Sequence, residues 1–152
     1  MTVSVSTRLQ VIVVGYDGSP AAQHALERAA DLTRGRDGIL EVVFVAHPPV
    51  GATLSPLAYT DLMQALDNET VRLADEVRTR LEGRTEPWHF QRRDGSVSAE
   101  LQAVATDLQR QYGHQADITI AVGGPSHRIH HVIGSVGASL VHTDRFPIVV
   151  VP

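Results

Sequence analysis

Four short runs of β-branched and other apolar residues punctuate the chain: Leu9 to Gly15 (LQVIVVG), Ile39 to Ala46 (ILEVVFVA), Asp117 to Val122 (DITIAV) and Pro147 to Val151 (PIVVV). Runs of this length that are almost wholly apolar suit strands buried on both faces, as in a parallel sheet covered by helices. What separates them is long enough to cross over and carries helical period. These two facts together leave few architectures open.

The first run ends at a turn, Tyr16-Asp17-Gly18, and Ser19-Pro20 then reads as an N-cap followed by proline at the first helical position. Ala22, Ala25, Leu26, Ala29, Ala30 and Thr33 form one stripe of the helix that follows, which stops near Gly35. His47-Pro48-Pro49 ends the second strand, and a loop rich in proline and glycine runs to about Pro56. Leu62, Leu66, Leu73, Val77 and Leu81 then share one face of a long helix closed by Gly83. Glu86 to Gln91 (EPWHFQ) alternates in polarity and has a proline near its start, which predicts an edge strand. Arg93-Asp94-Gly95 predicts a turn and Ser96 an N-cap, and Leu101, Val104, Ala105, Leu108 and Tyr112 mark a third helix. A short helix is expected from about Ser135 to His142, ahead of the last strand. The order β-α-β-α-β-α-β-α-β, with crossovers of this length, demands a parallel sheet. A single domain over residues 1–152 is expected.

Composition narrows the function. At 43% hydrophobic and 20% charged, with a formal charge of −4, the chain has no electrostatic reason to bind nucleic acid or an acidic membrane surface. It has no cysteine, which excludes disulfides, zinc–thiolate sites and thiol nucleophiles. The N-terminal MTVSVSTRLQ lacks the apolar core of a signal peptide, and no stretch reaches the roughly 18–20 apolar residues of a membrane span. A cytoplasmic protein is the expectation.

In an open parallel sheet, ligands bind beyond the carboxyl ends of the strands, where the winding reverses. Two loops have a composition suited to this: Gly15 to Ser19 after the first strand, and Gly123 to Ser135 (GGPSHRIHHVIGS) after the fourth. Glycine lets backbone amides approach a phosphate, and Gly134-Ser135 stands where a helix N-terminus would concentrate positive charge. The same residues also serve as ordinary turn formers and N-caps, so the fragments alone leave both readings open.

Taken together, VIVVGYDGS (residues 11–19), the apolar second strand ending at a proline (Val42 to Pro48) and GSVGASLVHTDRFPIVVVP (residues 134–152) resemble the universal stress protein family over essentially the whole chain. The resemblance implies a flavodoxin-like or Rossmann-like three-layer α/β sandwich with a five-stranded parallel sheet in the order 3-2-1-4-5. It implies a regulatory protein that holds ATP, with magnesium, or another adenine nucleotide between strands one and four. Asp17 matches the family's nucleoside contact, and Val45 and Ala46 match the backbone positions that hold adenine. The family's phosphate loop has the pattern G-2x-G-9x-G-[ST]. Gly134 and Ser135 fit its end and Gly124 stands ten residues earlier, but three further back is Ala121 rather than glycine. Matching Gly123 to the first glycine instead makes the loop two residues shorter than the pattern. Arg128, in the same loop, can replace backbone donors on phosphate oxygens. The terminal strand, Pro147 to Val151, resembles the one through which family members pair, so a homodimer is expected.

His127, His130 and His131 are spaced to share one face of a helical turn. With no nearby cysteine or carboxylate to complete a ligand set, they read as a polar loop or the wall of an anion site, and no metal is expected. Catalysis is not expected either. There is no lysine, no G-x-S-x-G elbow and no G-x-G-x-x-G fingerprint. The alternatives to nucleotide binding are a nucleotide-free dimeric interaction module and, third, a slow nucleotide hydrolase.

Overall fold

The computed structural model describes residues 8–48, 54–124 and 145–152. Five strands form one sheet: β1 (Leu9–Gly15), β2 (Gly38–Ala46), β3 (Trp88–Asp94), β4 (Ala116–Gly123) and β5 (Ile148–Val151). Their order is β3-β2-β1-β4-β5 and every pair is parallel. The expected α/β architecture and strand order are both present. Among the described residues the crossovers contain α1 (Pro20–Thr33), α2 (Pro56–Arg80) and α3 (Val97–Tyr112). The short helix expected over residues 135–142 lies outside them.

The period-2 alternation of side chains divides the sheet's two faces. Ile12 and Val14 of β1, with Leu40, Val42 and Phe44 of β2, pack under α1 and α2. Val11 and Val13, with Val43, Ile118 and Ile120, pack under α3. Helix α1 lies close because its buried stripe is mostly alanine: Ala22, Ala25, Ala29 and Ala30, with Leu26 and Thr33. Thr33 is fully buried, and its Oγ1 donates back to the carbonyl of Ala30 at 3.0 Å, which satisfies the hydroxyl inside the helix.

Two elements differ from their sequence-based outlines. Strand β3 begins after Pro87 and runs on through Arg92 and Arg93 to Asp94, where a turn is predicted. The ion pairs explain the extension. Arg92 pairs with Asp67 of α2 at 2.8 Å and with Asp94 at 2.7 Å, and Arg93 pairs with Asp107 of α3 at 3.1 Å. Each arginine is thus held by the helix on its own side of the strand. The turn is confined to Gly95, whose φ of +139° few other residues adopt. The second difference is in α2. Only Leu73 and Val77 of its predicted stripe are buried within the helix, with Leu81 buried at its cap and Leu66 partly so. Twenty-five helical residues span about 38 Å. The nine residues of β2 cover about 30 Å. The N-terminal part of α2 therefore overshoots the sheet and leaves Leu57 exposed.

The last residue of β4 shows how tightly the layers meet. A Cβ built on Gly123 would lie 2.5 Å from the backbone carbon of Ala21, in the first turn of α1. Gly123→Ala is therefore expected to destabilise the protein by about 2 kcal/mol, since backbone rather than a flexible side chain must move. That corresponds to a fall of roughly 4–8 °C in Tm for a domain of this size, readable by thermal denaturation.

Candidate functional site

Chain winding runs from β1 outward to β2 and β3 and then returns to β4 on the other side of β1. The crevice created by this reversal opens between the carboxyl ends of β1 and β4, next to the end of β2. The helices that follow β1 and β3 lie on opposite faces of the sheet, and the first turn of α1 comes up against Gly123 at the end of β4.

The β1 end of the crevice is a locally determined turn. The Asp17 side chain is exposed, and its Oδ1 accepts the Ser19 amide at 2.9 Å. The Ser19 hydroxyl in turn accepts the Ala22 amide at 3.2 Å, capping α1, and Pro20 occupies the first helical turn where no amide partner is needed. Gly18 has a φ of +81°, and a Cβ there would meet Leu73 Cδ2 at 2.9 Å. One carboxylate oxygen of Asp17 thus fixes the turn, and the other makes no hydrogen bond among the described residues.

Beneath the turn is a polar cluster that the sequence reading did not anticipate. Tyr16 is buried, and its hydroxyl donates a hydrogen bond to Glu76 of α2. Gln23 Nε2 donates to the same Glu76 oxygen at 3.2 Å and to the Gly18 carbonyl at 3.1 Å. Arg72 reaches the second Glu76 oxygen at 3.2 Å, and Arg80 lies 3.6 Å from the first. The Tyr16 hydrogen bond is the chief reason that the Glu76 carboxyl sits below its usual range, with Gln23, Arg80 and Arg72 acting in the same sense against desolvation. Burial first, then the Glu76 carboxylate, pushes the Tyr16 phenol up. The D-G-S turn is thereby tied to a helix some fifty residues later in the chain. In sequence the only trace of this is the i, i+4 spacing of Arg72 and Glu76 beside the buried Leu73 and Val77.

At the end of β2, pairing with β1 stops at Gly15 opposite Val43, whose carbonyl accepts the Tyr16 amide at 2.9 Å. Peptide groups of alternate residues face alternate neighbours. Val45 is therefore next along that edge, with its peptide toward the crevice. Ala46 turns the other way, and its carbonyl accepts the Gly95 amide at 2.9 Å on the β3 side. At β4, Gly123 is occupied by close packing against Ala21, and the Gly124 amide donates to the Val151 carbonyl, continuing the β4–β5 ladder. Asp17, Val45, Ala46, Gly123 and Gly124 thus stand at the carboxyl ends of three adjacent strands. Arg128, Gly134 and Ser135, and the histidines at 127, 130 and 131, lie outside the described residues. Among the described residues no cluster of three or more histidine or acidic side chains could hold a metal, and no helix is long and apolar enough to cross a membrane.

A model of the universal stress protein family matches residues 9–152. Among curated proteins, none matches the chain in sequence. Solved structures do. A protein of the universal stress protein family from Burkholderia pseudomallei superposes with a TM-score of 0.72 at 23% identity, covering 97% of this chain and 98% of its own. UspA from Lactobacillus plantarum gives a TM-score of 0.72 at 22% identity, covering 95% and 99%. A family member from Arabidopsis thaliana with AMP bound gives 0.60 at 15% identity, covering 93% and 90%. At these identities the likeness is one of fold.

The Tyr16–Glu76 bond has a pH signature. Glu76 stabilises the fold above the ordinary carboxylate value of 4.5, and this contribution is lost as pH falls through its lowered folded value. Tyr16 stabilises it below the ordinary phenol value of 10.0, and that contribution is lost as pH rises through the raised folded value. Tyr16→Phe is expected to lower stability by about 1.5–3 kcal/mol at neutral pH, as for a hydrogen bond to a charged group. It should also shrink the acid-side loss and flatten the alkaline limb. Urea denaturation of both proteins between pH 3 and pH 11 checks all three.

Proposed function

The chain belongs to the universal stress protein family, and on that footing we propose that it is a regulatory protein that binds an adenine nucleotide, ATP with magnesium foremost, in the crevice between β1 and β4. The observation that carries this reading is the Asp17 turn. It lies at the winding reversal, its geometry is held by Ser19 from within and by the Tyr16–Glu76–Gln23 cluster from below, and the second carboxylate oxygen of this exposed residue makes no hydrogen bond among the described residues. A ribose hydroxyl is the natural donor for that oxygen. The peptide of Val45, on the β1 edge of β2, supplies the pattern of one donor and one acceptor that an adenine edge requires, with Ala46 closing the wall. The AMP bound to the Arabidopsis relative is of the same ligand class.

Phosphate binding is assigned to the loop after β4. Gly123 and Gly124 are its entry, but the Gly124 amide is already engaged by Val151. The charge on the phosphates therefore falls to Arg128 and to the amides at Gly134 and Ser135. An arginine side chain suits this, since its planar donors meet two phosphate oxygens at once. No group in the crevice is assigned a catalytic role, and the protein is read as a binder rather than an enzyme.

A second reading is a nucleotide-free homodimer formed through β5. This strand is at the edge of the sheet, and Val150 is exposed on it. An apolar edge of this kind invites pairing with a second copy. Isothermal titration distinguishes the two. The first reading expects saturable ATP binding with a Kd of about 1–100 µM, or roughly −8 to −5.5 kcal/mol. Asp17→Asn keeps the acceptor for the Ser19 amide and replaces the second acceptor with a donor, so a loss of about tenfold or more is expected. No heat with ATP, with or without magnesium, from a dimeric protein would establish the second reading instead.

A further inference from the structure

Glu41 is an acidic residue inside a central strand. It lies midway along β2, opposite Val13 of β1 and His89 of β3, and is 6% exposed. Its Oε1 accepts Gln91 Nε2 at 2.6 Å, and its Oε2 lies 3.3 Å from His89 Nδ1. Among the described residues no arginine comes within ion-pair distance of it, the nearest basic group being the His89 ring. A buried carboxylate held by an amide and an imidazole has acceptor positions to spare and no permanent counter-charge.

A half-open cavity of about 280 Å³ lies directly beside it, between the β2–β3 edge of the sheet and the C-terminal half of α3. Its sheet side is formed by Glu41, His89 and Gln91, and its helix side by Val104, Leu108 and the Tyr112 side chain, with Gln111 among them. Two other charged residues line it, Arg93 and Asp107, and these neutralise each other at 3.1 Å. Glu100 lies a further 3.6 Å from Arg93, and Arg110 is 3.8 Å from Asp107. Glu41 is therefore the one charge on the lining without an arginine partner. The cavity is also remote from the crevice. Glu41 precedes Ala46 by five residues, about 16 Å along an extended strand, on the face covered by α3.

We propose that this cavity is a second ligand site, which binds a small organic cation: an ammonium or guanidinium group against Glu41, on a short apolar stem against Val104, Leu108 and Tyr112. The cation completes the charge that the fold leaves open, and the stem covers the helix side. This site does not depend on the nucleotide reading, and its test uses no nucleotide.

Three probes of nearly one shape separate charge from shape: isoamylammonium, isoamyl alcohol and isovalerate. Titrated into the intact protein and followed by two-dimensional amide NMR, isoamylammonium is expected to give saturable shifts at and around residues 41, 89, 91, 104, 108 and 112. The alcohol should bind at least tenfold more weakly, and the anion should leave those signals unmoved. Glu41→Gln should weaken isoamylammonium at least tenfold. Asp107→Asn, at an exposed position, should weaken it severalfold by freeing the Arg93 charge, and it keeps the test open if Glu41→Gln fails to fold. Absence of saturable shifts with isoamylammonium, equal binding of the alcohol, or unchanged affinity in a folded Glu41→Gln or Asp107→Asn protein would each overturn the proposal.

Discussion

Strand β1 has a strand hydrogen-bonded to each edge and helices on both faces, so its chain meets solvent only where it ends. Anywhere along Val11 to Val14 the side chains must be apolar and the peptides fully laddered, because an unsatisfied group there costs on the order of 1–3 kcal/mol. Specialised chemistry is thereby displaced to the residues just past Gly15, and the reversal of winding between β1 and β4 leaves those residues an open crevice. The position of the candidate site thus follows from the burial of its central strand.

Close approach of layers then shapes what the crevice residues are free to do. An alanine-rich α1 lies so near the sheet that Gly123 has no room for a Cβ, and the Gly124 amide is engaged in the β4–β5 ladder. Glycines that read as phosphate-loop residues in the sequence therefore have packing and pairing roles in the structure. The same closeness gives the Asp17 turn its rigidity. Tyr16 cannot reach water under α2, and its hydroxyl meets the Glu76 carboxylate instead. A buried donor and a partly buried acceptor satisfy each other, and the turn above them is held in place.

Polar residues embedded in the layers mark the other place where the chain departs from a plain apolar core. Glu41 interrupts an otherwise apolar strand, and its partners Gln91 and His89 come from the neighbouring strand. Arg92 and Arg93 lengthen β3 because each finds a carboxylate on a helix. In both cases tertiary neighbours provide hydrogen bonds to the polar residue, although the Arg93 Nε makes none among the described residues.

The sequence by itself determined the five strands, the three described helices and their order, since β-branched runs, an alanine stripe and the Ser19-Pro20 cap act through near neighbours in the chain. It also placed Asp17 at a strand end, where a turn was required. Only the tertiary structure decided that β3 continues through two arginines, that Leu62 of the α2 stripe stays outside the core while Leu66 is only partly covered, and that Tyr16 and Glu76 meet across sixty residues. It alone set a cavity beside Glu41. Each of these depends on which side chains face one another across layers, and that distance-dependent pairing has no periodic signature along the chain.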